Sequence, residues 1–176
     1  HGLRIFIIDD GSTEPAKSAL KVLDDPASGV TLHRQHKNGG KGAAVMAGFR
    51  LAAAEGFTHA LQVDADGQHD LEALPALMEL SALHPEALIS GQPVYDETIP
   101  TSRKMARWIT HVWVWIETLS TQITDSMCGY RIYPLAPAMV VIESERVGHY
   151  MDFDTEIMVR MNWRGTPVRM FPVHVT

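Results

Sequence analysis

Two apolar runs in the first half of the chain each end on acidic residues followed by glycine: Leu3 to Ile8 runs into Asp9-Asp10-Gly11-Ser12, and Leu61-Gln62-Val63 into Asp64-Ala65-Asp66-Gly67. A continuous β-branched run that stops at a turn is the pattern of a strand buried on both faces, and such strands belong to sheets covered by helices. Helical spacing appears twice between the two runs. Glu14 to Leu23 places Ala19, Leu20 and Leu23 on one face, and Lys41 to Glu55, closed by Gly56, places Val45, Phe49, Ala52 and Ala53 on another. Further strands are expected at Val30 to His33, His59 to Val63 and Ala87 to Ser90, with a helix through Leu71, Leu74, Leu77, Met78 and Ala82. This alternation predicts an α/β fold with parallel strands, whose ligands sit outside the carboxyl ends of the strands. Both acidic tips would fall on that edge.

The second half reads differently. A loop from Gln92 to Thr101 precedes a long helix over Arg103 to Gln122, which carries Arg103, Lys104 and Arg107 alongside Trp108, Trp113 and Trp115. Basic and tryptophan side chains together suit a water–lipid boundary, and packing of the tryptophans on the sheet is the plainer alternative. Asp125 to Tyr133 reads as a loop entering a strand, Ala136 to Glu145 as a short helix, and Asp152 to Trp163 as a helix that Asp154 or Thr155 would cap. Val168 to Val175 is a last strand.

A length of 176 residues suits one domain, and 45% hydrophobic with 20% charged residues is an ordinary globular balance. The net charge of -6 argues against a nucleic-acid partner. The single cysteine, Cys128, permits no intrachain disulfide and points to a reducing compartment; no apolar run is long enough to cross a bilayer. The chain enters its first strand without a preceding turn and stops inside its last one, so a fragment of something longer is expected.

Asp64 and Asp66, one residue apart in an extended strand, would point the same way, with Gln68 able to join them; hard oxygen ligands of this kind suit Mg²⁺ or Mn²⁺. Capping of a turn by two aspartates is the competing reading. Asp9 and Asp10 can accept hydrogen bonds from a nucleobase N–H or a ribose hydroxyl, or cap the following helix. Lys41, among glycines before a helix, can face solvent or join backbone N–H groups in holding a nucleotide anion. Ala43 stands where a P-loop would need serine or threonine.

Four motifs then line up in order: Ile8-Asp9-Asp10-Gly11-Ser12, Asn38-Gly39-Gly40-Lys41-Gly42-Ala43-Ala44, Asp64-Ala65-Asp66-Gly67-Gln68-His69, and Asp125 with Cys128-Gly129-Tyr130-Arg131. Together they resemble family 2 glycosyltransferases of the GT-A fold, nearest the dolichyl- or polyprenyl-phosphate sugar transferases. The resemblance implies a mixed, mainly parallel sheet flanked by helices, with the family's first strand lying before His1. Within one domain over 1–176, residues 1–91 would form the nucleotide-binding half and 92–176 the acceptor side. It further implies Asp64, Asp66 and Gln68 as metal ligands for Mg²⁺ or Mn²⁺. Asp9, Asp10, Lys41, Asp64 and Arg131 become contacts to the nucleoside diphosphate sugar, whether GDP- or UDP-linked.

By the same resemblance Asp125 is a general base or metal organiser, while Asp154 and Glu156 form a late acidic pair near the acceptor, or simply an acidic helix start. Tyr130 stands where phenylalanine is commoner, and His69 has no assigned role. The implied activity is inverting transfer of a sugar to a lipid-linked or small acceptor by a metal-dependent enzyme at the cytoplasmic face of a membrane. A haloacid-dehalogenase-type phosphohydrolase with Asp64 as nucleophile, and a non-catalytic nucleotide-sugar-binding domain, are the alternatives.

Overall fold

The computed structural model describes residues 3–67, 69–94, 113–118 and 123–174. The first unit is β1 (Ile5–Asp9), α1 (Ala16–Val22) and β2 (Val30–Arg34), with β1 and β2 parallel. The chain continues through α2 (Lys41–Ala54), β3 (His59–Gln62), a short 3-10 turn (Leu71–Ala73), α3 (Leu74–Leu83) and β4 (Leu88–Val94). Residues 113–118 are helical and are called α4. They are followed by β5 (Arg131–Pro134), α5 (Leu135–Ser144), α6 (Phe153–Trp163) and β6 (Val168–His174).

Strands β3 to β6 form one sheet in the order β3-β5-β4-β6. Strand β4 is parallel to β6 and β5 is antiparallel to both β3 and β4, so among the described strands of that sheet β5 is the reversed one. The result is the mixed, parallel-rich α/β architecture expected. The β1–β2 pair is a separate sheet: β1 and β3 both pack on α2 and do not hydrogen-bond to each other.

Side chains of β5 alternate between two cores. Ile132, with Tyr130 just before the strand, packs with Leu77, Ile89 and Val173 on the α3 face, while Tyr133 packs with Phe49, Leu135, Phe153, Ile157 and Met158 on the α2, α5 and α6 face. The Phe49 and Tyr133 rings lie 4.7 Å apart. Both cores are assembled by period-2 alternation on a strand with no exposed residue.

Three expectations change. Strand β3 stops at Gln62, and Asp64 to Gly67 form a turn in which Gly67 takes φ +73, so strand alternation does not align Asp64 with Asp66. Helix α1 buries no residue, and Val22 and Leu23 on and beside it are exposed, so its apolar spacing does not mark a core face. Neither Asp154 nor Thr155 caps α6: the N-cap residue is Asp152, and no side chain closes that end. Gln68 and most of the Arg103–Gln122 segment lie outside the described residues. In α4, Val114 is buried and Trp113 and Ile116 are exposed.

Candidate active site

The end of β3 is locked by its register on β5. Gln62 lies opposite Arg131, and Ala60 opposite Tyr133, so the Gln62 side chain meets Tyr133 diagonally on one face of the sheet. There the Tyr133 hydroxyl donates to Gln62 Oε1 at 3.1 Å, and Arg131 Nη1 donates to the Tyr133 oxygen at 3.2 Å. Burial pushes the Tyr133 phenol up to about 12, so it stays a neutral donor. With Oε1 engaged, the Gln62 amide nitrogen is left to donate. It reaches Asp154 Oδ1 at 3.1 Å and Asp64 Oδ1 at 3.3 Å.

On their opposite oxygens the same two carboxylates share a cation. Lys41 Nζ lies 2.5 Å from Asp64 Oδ2 and 2.6 Å from Asp154 Oδ2. Burial works against the Lys41 ammonium, yet the hydrogen bonds and charges of Asp154 and Asp64 outweigh it and hold its pKa above that of an ordinary lysine. Two glycines make this approach possible. A Cβ on Gly42 would sit 2.6 Å from Phe153 Cβ, so only a bare backbone lets α2 start against α6. A Cβ on Gly129 would overlap the Asp64 carboxylate itself.

Asp154 lies in the second half of the sequence and Asp64 and Lys41 in the first, so the cluster joins the two halves. Lys41 also brings the first acidic tip to the second. Asp10 accepts hydrogen bonds from the Gly39 and Gly40 backbone N–H groups, each at 2.8 Å, immediately before Lys41. The expected cradle of glycine N–H groups is therefore turned toward Asp10. Asp9 is buried, accepting from Ser12 N at 2.8 Å and Arg34 Nε at 2.6 Å. The Ser12 hydrogen bonds and the Arg34 guanidinium bring its carboxyl down to about 2.

Arg131, expected as a contact to the diphosphate, is turned into the protein. It has no exposed surface, and its guanidinium donates inward, to Asp154 O at 2.5 Å and Ser126 O at 2.7 Å as well as to Tyr133. A side chain so placed fastens the Ser126 loop and the start of α6. Asp125, also buried, accepts from Met127 N and Cys128 N and shapes that loop. Glu156 accepts from Gly148 N and from Arg160, tying the Gly148 loop to α6. Asp66 is exposed on the turn after β3.

Gln62 and Tyr133 are the site residues that motif reading passed over. The signal available was a glutamine inside an apolar strand, two residues before the first site aspartate. His69 stacks on Tyr130 with ring centroids 5.3 Å apart, which makes it a packing residue.

The donor set is hard oxygen, and two carboxylates already converge on one positive charge, which fits a small divalent cation. Among the described residues no third histidine, cysteine or carboxylate joins them. Mg²⁺ and Mn²⁺ sites ordinarily complete their coordination with water and substrate phosphate.

The model of glycosyl transferase family 2 matches residues 2–145, most of the chain. The chain belongs to glycosyl transferase family 2. An undecaprenyl-phosphate mannosyltransferase of Micrococcus luteus is 32% identical over 157 residues, covering 84% of this chain and 63% of that protein. A polyprenol monophosphomannose synthase of Mycolicibacterium smegmatis is 29% identical over 136 residues, covering 74% of this chain and 51% of that one. The family 2 chain thus spans between half and two thirds of the length of these curated relatives.

Among solved structures, glucosyl-3-phosphoglycerate synthase from Mycobacterium tuberculosis in complex with Mn²⁺, UDP-glucose and glycerol 3-phosphate superposes with a TM-score of 0.67 at 13% identity, over 97% of this chain and 58% of that one. The fold is that of a GT-A glycosyltransferase. Membership in family 2 sets aside the phosphohydrolase alternative, and both Asp64 oxygens are engaged by Lys41 and Gln62.

Proposed function

We propose that this family 2 chain carries the donor site of an inverting, metal-dependent transferase that moves a sugar from a GDP- or UDP-linked donor to a polyprenyl-type lipid phosphate. The observation that carries the reading is the convergence of Asp64 and Asp154 on one cationic centre, at the point where the Gly39–Lys41 loop, the end of β3 and the start of α6 meet. The likeness to polyprenyl- and dolichyl-phosphate sugar transferases supports the acceptor class.

Asp64 and Asp154 would hold Mg²⁺ or Mn²⁺; Asp66, on the exposed turn that follows and not gathered with the pair in this structure, and Gln68 would join them on the family resemblance alone. The ion supplies neutralisation of the charge that grows on the leaving diphosphate. Lys41 contacts that diphosphate. Asp10 sets the glycine loop beside the nucleoside, and Asp9 fixes the tip of β1. Gln62, Tyr133 and Arg131 keep the two carboxylates at a fixed separation, so little reorganisation is needed when charge develops.

An acceptor that is already an anion fits the state of the carboxylates. Asp154 is bound on both oxygens, Asp125 is turned into its own loop, and Glu156 is bound to Arg160 and Gly148 N. A hydroxyl nucleophile would need one of them to accept its proton, whereas a lipid phosphate brings a nucleophilic oxygen that carries none. Among the described residues no helix is long and apolar enough to cross a membrane. Contact with a lipid carrier is assigned to the Arg103–Gln122 segment, where the exposed Trp113 and Ile116 supply apolar surface.

Calorimetric titration with GDP and UDP, with and without Mn²⁺, tests the donor site. Metal-dependent binding of one of them supports it. No binding of either refutes it.

A further inference from the structure

We propose that Lys41 is an internal cation that competes with the divalent ion for Asp64 and Asp154, so that the ion binds well only when a diphosphate arrives to take the ammonium. The inference rests on the donor-site reading above and adds to it a coupling between the two ligands.

The carboxylates are held by Gln62 as well as by Lys41, whereas the ammonium is held through the two carboxylates. Asp154 is 2% exposed, its carbonyl receives Arg131 and its Oδ1 receives Gln62, which is itself anchored by the fully buried Tyr133. Asp64 lies against Gly129 and shares the same Gln62 amide. Lys41, the first residue of α2, reaches the pair through four flexible methylenes. Its position between Asp64 Oδ2 and Asp154 Oδ2 is where an ion chelated by the two carboxylates would sit.

Charge makes the exchange conditional. Two carboxylates with one ammonium leave a single negative charge. A divalent ion in place of the ammonium neutralises the pair but strands the lysine's positive charge beside it, a like-charge contact that opposes binding of the ion alone. A diphosphate removes that opposition by giving the displaced ammonium an anionic partner. With the Gly39 and Gly40 N–H groups already spent on Asp10, the Lys41 ammonium is a group this loop can offer to a phosphate. Linkage then requires reciprocity: the diphosphate strengthens ion binding by the same factor as the ion strengthens diphosphate binding.

The test is Mn²⁺ binding, read by the electron paramagnetic resonance signal of the free ion, for the parent, Lys41→Met and Lys41→Arg, each alone and with saturating GDP or UDP. The expected result is that Lys41→Met binds Mn²⁺ alone about 10-fold more tightly than the parent, within the usual range of coupling. The strengthening by nucleotide should shrink in Lys41→Met and persist in Lys41→Arg. Equal or weaker binding of Mn²⁺ alone by Lys41→Met overturns the proposal. Absence of Mn²⁺ binding by the parent even with nucleotide overturns the donor-site reading itself, so the two failures are distinct.

Should Lys41→Met not fold, mass-spectrometric measurement of amine acylation at Lys41 in the parent decides. Saturating Mn²⁺ without nucleotide should speed labelling of Lys41, and unchanged labelling overturns the exchange.

Discussion

Replacing Arg131 by methionine separates a residue that builds the site from one that touches the donor. The methionine roughly fills the stem of the side chain and takes the guanidinium's hydrogen bonds from Asp154 O and the Tyr133 hydroxyl, and leaves Ser126 O with the Thr155 hydroxyl in place of two donors. Each buried acceptor left without a donor costs about 1–3 kcal/mol. Part of that is returned because a buried charge no longer has to be desolvated, so the net loss is about 3–5 kcal/mol, the range seen when one partner of a buried charged network is removed. Against a total stability of about 5–15 kcal/mol this is a large fraction. For a chain of this size it lowers the melting temperature by roughly 2–4 °C per kcal/mol. Urea unfolding at neutral pH, followed by circular dichroism, measures the loss directly. Arg131→Lys should fall between parent and methionine variant, since an ammonium cannot fork to the same acceptors. An Arg131→Met protein within about 1 kcal/mol of the parent, but with weakened nucleotide binding, would show that Arg131 is a diphosphate ligand after all.

Other perturbations divide in the same way between scaffold and site. Asp66→Ala, at an exposed position, should leave the melting temperature unchanged and remove the Mn²⁺-dependent part of nucleoside diphosphate binding in calorimetry. Asp9→Asn should cost stability more than affinity. The parent's Asp9 has its pKa depressed to about 2, so the stability it contributes is present above about pH 4 and lost as pH falls toward 2. Urea midpoints between pH 5 and 2.5 should accordingly fall less steeply in the asparagine variant. Asp10→Asn should weaken nucleotide binding with little change in unfolding, because it loosens the Gly39–Lys41 loop; equal affinity would reduce Asp10 to a turn former. Arg103→Glu, Lys104→Glu and Arg107→Glu together should abolish co-sedimentation with anionic liposomes, and a parent that never pellets would refute membrane contact through this segment.

The sequence made the architecture legible where local pattern and tertiary role agree. Strand and helix positions from Val30 to Leu83 lie within a few residues of the periodicity, because each apolar stripe there is satisfied by a neighbour in the fold. Helix α1 shows the limit. Its leucine spacing is the same kind of signal, yet no described element covers it. The acidic tips were legible as the ends of β1 and β3 and as candidate site residues. Their partners were not. That Asp154 faces Asp64, and that Gln62 bridges them, depends on the register of β3 on β5 and on the approach of α6 to α2, which no local pattern encodes. The direction of the Arg131 side chain was not legible for a similar reason: an arginine beside a glycine loop has the same local appearance whether it faces a phosphate or the carbonyl of a helix start.

The most direct test of the central claim is transfer itself. The protein is incubated with a polyprenyl phosphate, Mn²⁺ and GDP-mannose or UDP-glucose, and the lipid fraction is analysed by mass spectrometry and NMR. The account predicts a glycosyl phosphate lipid with the anomeric configuration opposite to that of the donor, formed by the parent and lost in Asp64→Asn and Asp154→Asn. Product of retained configuration, or equal product from both asparagine variants, would contradict it.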